Sequence, residues 1–278
     1  MPDFWTTLKN RFGAGAPVSA GRVEPNEAWV RMASRGVVRR FTDEAVPADL
    51  VDTLCALSLS LSSPTKSDLQ QRDILIVEDQ AKRARINELL SDQEWIPTAP
   101  VFVVFLGNNR RHRQVHEWRG KPFANDHLDA FFNATVDAAI ALSAFCTAAE
   151  AAGLGCCPVS VLRDHAAEVS ELLGLPDHVF PIAGLGVGWP RQPGWTSLRL
   201  PLTHTVHRDT FKEDGLREAV DAYDARRHGV APYRSQRDVE QWGEHPAYGW
   251  SEDKARQYAV PQRTDWGAFV KRKGFKLQ

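Results

Sequence analysis

The 278-residue chain is 43% hydrophobic and 25% charged with a formal net charge of −1, which supplies a sizeable core and leaves no bulk field to recruit nucleic acid or an acidic membrane. Four cysteines in apolar settings, Cys55, Cys146, Cys156 and Cys157, are too few for a disulfide framework and fit a reducing cytoplasm. Asp3, Lys9 and Arg11 interrupt any signal-peptide core, and no apolar run is read as long enough to span a membrane.

In chain order, the opening segment predicts a short helix followed by a Gly/Ala/Pro-rich linker at residues 13–21. Pro47 and the helical spacing of Leu50, Val51, Leu54, Leu57 and Leu61 predict an amphipathic helix over 47–62. DILIVED reads as a strand, QAKRARINELLSD (80–92) as a helix, and APVFVVFLG (99–107) as a buried strand. Residues 127–152 form a long alanine-rich helix stopped by Gly153-Leu154-Gly155. CCPVSVL (156–162) then reads as a strand, RDHAAEVSELLGL (163–175) as a helix and FPIAGLGVGWP (180–190) as a strand. Beyond residue 203 the chain turns polar, with a helix at about 209–226, a loop region rich in Trp, Tyr, Arg and Pro, and a last helix around DWGAFVKRKGF. The count is four or five strands mixed with helices.

Most candidate motifs weaken on inspection. Gly184, Gly186 and Gly188 lie inside a strand that runs into Trp189-Pro190, so the strand-turn-helix of a dinucleotide loop is missing and close backbone packing explains them better. His112 with His116, and His204 with His207, lack a third metal ligand and read as surface or capping residues. Cys156 and Cys157, adjacent on a strand, point to opposite faces and read as core. NNRRHRQVHEWRGK (108–121) reads as a solvated basic surface. RGVVRRF (35–41) is different, because guanidinium groups suit bidentate contact with a phosphate, although arginines on a solvated helix edge would look the same.

Taken in order, RGVVRRFTDEAVPADLVDTL, SPTKSDLQQRDILIV, AAEAAGLGCCPVSVLRD, LGLPDHVFPIAGLGVGWP, LRLPL and VHRDTF resemble the FMN-dependent nitroreductase and NADPH-dependent flavin reductase family over about residues 28–212. The resemblance implies an α+β nitroreductase-like fold, a central mixed sheet flanked by helices, in an intertwined homodimer. Residues 1–278 would form one such domain, with an N-terminal extension at about 1–25 and a C-terminal helical and loop extension at about 208–278. It implies FMN as cofactor and NADPH or NADH as co-substrate, with hydride passing through flavin N5 to a small-molecule acceptor (a nitroaromatic, a quinone or free flavin) in a ping-pong cycle. No nucleic acid or membrane partner is expected. Another flavin reaction on the same fold, or a non-catalytic flavin-storage protein, stays open.

Site residues follow from the resemblance position by position. Arg35, Val37 and Arg39 fall on the family's phosphate-binding segment, with valine in place of its serine. Thr65, Lys66, Ser67, Asp68 and Gln70 fall on its flavin loop, with Asp68 where asparagine is common. Pro158, Val159, Ser160 and Val161 fall on the strand beneath the flavin ring, where the usual glycines are replaced but main-chain amides survive. Arg199 completes the phosphate set, and Arg35 and Arg39 would share one face if their segment were helical. Arg163 is a candidate contact for NADPH or substrate. Arg226, Arg227, Arg234 and Arg237 lie where this branch places a nucleotide phosphate. No catalytic side chain is assigned.

Overall fold

A computed structural model describes residues 3–17, 24–61 and 68–278. In chain order the elements are α1 (Phe4–Phe12), α2 (Glu27–Ser34), α3 (Ala48–Leu61), β1 (Arg72–Ile76), α4 (Gln80–Leu89), β2 (Val101–Asn108), α5 (Arg110–Trp118) and α6 (Leu128–Ala151). They continue as β3 (Gly155–Val159), α7 (Ala166–Leu172), β4 (Val179–Gly188), α8 (Leu216–Val230), α9 (Val239–Trp242), α10 (Trp250–Ala259) and α11 (Trp266–Arg272). The chain divides into a helical unit, residues 1–36 with 196–262, and a sheet unit, residues 37–195 with 263–278.

The sheet unit is built on four strands in the order β1-β2-β4-β3. Every pairing among the described residues is antiparallel, so the expected mixed sheet is corrected to an antiparallel one. The physical reason lies in the connections: the links from β1 to β2 and from β3 to β4 leave and re-enter the sheet at the same end, whereas parallel pairing needs a crossover to the opposite end. β2 alternates between two cores. Phe102, Val104 and Leu106 pack with Ile86, Leu90, Ile96, Leu162, Val169 and Leu173 on one face, whereas Val103 and Phe105 pack with Leu54, Ala141, Phe145 and Ala149 on the other. A strand covered on both faces reads as an unbroken apolar run, which is why VFVVFLG shows no alternation.

β4 has the same double burial and adds glycine. A methyl at Gly184 would lie 2.5 Å from the Phe102 ring, one at Gly186 2.6 Å from Trp95, and one at Gly188 2.5 Å from Pro100. The alternate glycines are therefore slots for rings from one side of the sheet. The β2–β4 register slips between Phe105 and Leu106, leaving Ile182 as the extra residue of a bulge beside Pro181, which has no N–H to donate. The Arg163 guanidinium takes the Ile182 carbonyl at 2.6 Å.

α6 spans 24 residues, and its Ala134, Ala138, Ala141, Phe145 and Ala149 make a buried stripe at helical spacing. By length and composition α6 does pass the test for a membrane span, which corrects the reading that no run is long enough. The reason is that its alanines count as apolar, while here they allow close packing against α3 and the sheet. The residues expected to continue β3 to Leu162 instead turn into a 3-10 helix at Ser160–His165. A continued strand would send Leu162 to the face opposite Val161; the turn lets both reach the same core. The C-terminal segment closes the unit: Phe269, Val270 and Phe275 pack on Phe180 and Ile182. Asp126 there holds Arg113 and Lys276, and the Arg113 hydrogen bond pulls its carboxyl down to about 2.

The helical unit relies on polar and aromatic contacts more than on aliphatic core. Asp3 caps α1 through the amide of Trp5 at 2.9 Å, and Asn26 caps α2 through that of Trp29 at 3.0 Å. The Asp224 carboxylate caps α10 through the amides of Trp250 at 2.7 Å and Ser251 at 3.2 Å. Buried Arg256 spans Glu252 and the carbonyls of Arg237 and Gly243. The predicted 209–226 helix begins only at Leu216, after Gly215 in a left-handed conformation.

Gly184→Ala tests the ring-slot account. Phe102 is buried and cannot move aside, so the variant should lose about 1–3 kcal/mol of stability, as overpacking does; an unchanged denaturant midpoint would contradict it.

Candidate functional site

RGVVRRF is not helical. Arg35 closes α2 with extended backbone, Val37 bridges Trp195, Phe41 bridges Pro190, and the Val38 amide donates to the Cys156 carbonyl at 3.1 Å. Two β-branched valines and a strand edge to pair with explain the extended form, which corrects the shared helical face for Arg35 and Arg39. Arg39 is exposed and makes no ion pair with a described carboxylate.

At the end of β3, Pro158 and Ser160 are exposed while Val159 and Leu162 are buried. Val161 packs on the core, so its side chain leaves the exposed face clear. Ser160 and Val161 open the 3-10 helix, and the first amides of such a turn have no acceptor inside it. This short rim offers main-chain donors without bulky side chains over them.

Of the flavin-loop residues, Thr65, Lys66 and Ser67 lie outside the described residues. Asp68 and Gln70 are described, and both have left-handed backbone, φ 58° and 52°. Such conformations cost energy for a non-glycine residue and persist only when the surroundings hold them. The first turn of α5 does so: Arg111 donates to the Gln70 carbonyl at 2.7 Å, and the His112 ring pairs with the Leu69 carbonyl. Arg111 also pairs with Asp73, which holds Asn108. One step deeper, buried Gln71 donates its amide to Asp137 of α6 at 2.8 Å and accepts from Asn109 at 2.7 Å. A groove of about 520 Å³ results, lined by residues that include Leu59, Asp68, Gln70, Arg72 and His112.

In the helical unit, Arg199 is exposed and its guanidinium donates to Ser197 and to the Leu198 carbonyl. Arg226 donates to the Arg199 carbonyl at 2.7 Å, and its Nη1 is buried with no hydrogen-bond partner among the described residues. Burial pushes the Tyr223 phenol up, against the opposing positive field of Arg227, Arg199 and Arg226. Neither Arg199 nor Arg226 has an ion pair with a described carboxylate, so this corner carries cationic charge that an anion would offset. Arg227 stacks on Tyr233 and Arg237 pairs with Asp253, whereas Arg234 is exposed without a described partner.

Within the sheet unit the amide rim and the polar groove have chemistry suited to a flavin ring, and within the helical unit the guanidinium groups have chemistry suited to a phosphate. Arg39, Asp68, Gln70, Ser160 and Arg199, singled out from the sequence, are all exposed. The sequence reading gave Arg163 no structural duty, although that residue caps the Ile182 bulge and lies 5.9 Å from the Trp266 ring. It missed Arg111, His112 and Asp137. A helix start with Asn-Asn-Arg-Arg-His directly after a buried strand was the signal available for the first two; a lone aspartate in an alanine-rich helix was the signal for the third.

The family model described as Nitroreductase family matches residues 32–189, and that described as Nitroreductase family, C-terminal domain, matches 197–278. The FMN reductase (NAD(P)H) of Bacillus subtilis is 29% identical over 91% of this chain and 99% of its own length. The oxygen-insensitive NADPH nitroreductase of Salmonella typhimurium is 34% identical over 63% of this chain and 70% of its own. The solved structure of B. megaterium NfrA2 superposes with a TM-score of 0.82 at 30% identity, covering 91% of this chain and all of that one.

Asp137→Ala strips a buried amide of its acceptor and should cost about 1–3 kcal/mol, whereas Asp137→Asn keeps an acceptor oxygen and should cost less. Equal denaturant midpoints for the two variants would show that the carboxylate does not anchor the loop.

Proposed function

The chain belongs to the nitroreductase family, and from that premise we propose that it is an FMN-dependent NAD(P)H:acceptor oxidoreductase. The observation that carries the proposal is the end-to-end likeness to proteins named FMN reductase, together with donors suited to FMN at the positions the resemblance singles out. Nitroaromatics, quinones and free flavin are the acceptor class.

Bound FMN would supply the two-electron chemistry, taking hydride from the nicotinamide and passing it to the acceptor. The chain's own part is binding, orientation and electrostatic tuning. Arg35, Arg39 and Arg199 are proposed to hold the phosphate, which carries close to two negative charges, and together they offset the serine absent at Val37. The main chain at Ser160–Val161 would donate a hydrogen bond to the flavin ring, with Pro158 and Val159 forming the rim before it. Gln70 would add a ring contact. The Asp68 carboxylate would accept a hydrogen bond from a ring N–H and disfavour negative charge building up nearby. Arg163 and Arg234 are the proposed nicotinamide-nucleotide contacts.

A homodimer is part of the proposal. Leu57 and Leu61 on α3, and Leu128 and Phe132 on α6, are exposed on helices that pack together, and apolar surface of this kind marks an interface. Four free thiols support the cytoplasm as compartment.

The protein should purify yellow, bleach anaerobically with NADPH or NADH, and recover its colour on addition of a nitroaromatic or quinone. A yellow protein that neither nicotinamide bleaches would instead be a flavin store. In a redox titration, Asp68→Asn should raise the flavin potential by removing a negative charge; an unchanged or lower potential would remove Asp68 from the flavin's surroundings.

A further inference from the structure

Arg11 lies on α1, outside both family models, and is only 8% exposed. Its guanidinium donates to the Ala33 carbonyl at 2.8 Å and reaches that of Met32 at 3.5 Å, at the C-terminal end of α2. Those carbonyls are among the ones a helix leaves without an internal partner, and a cation is favoured there. Arg35 follows two residues after Ala33. The same Arg11 turns its own carbonyl the other way and accepts from the Arg199 amide at 2.7 Å. Arg226 locks the arrangement, donating to the carbonyls of Arg11 at 3.4 Å and Arg199 at 2.7 Å. Gly13 makes room for it, since a methyl there would lie 2.1 Å from the Arg226 Nη1.

One residue therefore ties, through two different groups, the two chain segments that bear Arg35 and Arg199. We infer that Arg11 is a positioning residue for the flavin phosphate: it fixes the spacing of those two guanidinium groups, so the N-terminal helix tunes how strongly this chain reads the phosphate end of its flavin. This rests on the FMN reading above. A second, weaker tie joins the same segments, the Thr196 hydroxyl donating to the Ser34 carbonyl at 2.8 Å. The Arg11 contacts to the Ala33 and Met32 carbonyls are both made by one nitrogen, Nη1.

The test compares FMN with riboflavin, which lacks only the phosphate, by quenching of flavin fluorescence on the full-length protein. Arg11→Met should weaken FMN binding by roughly tenfold, the scale of one lost charge-assisted hydrogen bond, and leave riboflavin binding unchanged. A merely structural role would weaken both flavins together, and that result, or unchanged FMN binding, overturns the inference. If Arg11→Met does not yield soluble protein, Thr196→Val decides by the same comparison, with a smaller selective loss of FMN expected. A wild-type chain that binds neither flavin would overturn the function itself. A wild-type chain that binds both equally would leave that function standing and refute the role of Arg11.

Discussion

The central strands β2 and β4 are apolar on both faces, and this constraint decides where chemistry can sit. With cores pressed against both sides, no polar side chain can stand in mid-strand without an expensive loss of hydration. Polar groups are accordingly pushed to the strand ends: Gln71 to Asp73 at the start of β1, Asn108 and Asn109 at the end of β2, Ser160 just past β3. β3 stops at Val159, opposite Gly184, so residues 179–183 of β4 have no neighbouring strand on that side among the described residues, and Arg163 takes the carbonyl of Ile182. The rim proposed for the flavin ring is the place where that edge strand gives way to a turn.

Of the departures from the family's residues, Val161 falls where the backbone rather than the side chain would carry the proposed contact, whereas Val37 removes a hydroxyl. Val161 replaces a glycine, yet its side chain is turned into the core and only its amide belongs to the exposed rim. Val37 replaces a serine, and its backbone is held in a bridge to Trp195. A main-chain donor is indifferent to the residue that supplies it, provided the fold sets its direction. The loss of a hydroxyl at Val37 is a real loss of one donor, and the arginines of the neighbouring segments are the groups available to offset it.

The sequence made the sheet unit largely legible because burial leaves periodic marks. The unbroken apolar run of β2, the alanine stripe of α6 and the alternate glycines of β4 each follow from what lies on their two sides. Strand direction was not legible, because antiparallel and parallel strands buried on both faces have the same composition. The turn at Ser160 was hidden for a related reason: Val159, Val161 and Leu162 are all apolar, and only the position of the core decides which of them continue a strand. The brace at Arg11 left no trace at all, since a lone arginine in a short N-terminal helix looks solvated until its carbonyl partners are known.

Electrostatics then explains why Asp68 and Gln70 can remain in left-handed backbone. The strain is held by Arg111 and His112, which grip the carbonyls of Gln70 and Leu69 from a single turn of α5. Because these donors hold main-chain oxygens, the side chains of Asp68 and Gln70 are released from structural duty and make no hydrogen bond with any described residue. Arg111 is itself oriented by Asp73, and Asp73 by Asn108, so the grip is anchored in the sheet. Asp68 and Gln70 therefore present two exposed side chains to the groove, while the buried Asp137 carboxylate secures the amide of the next residue, Gln71.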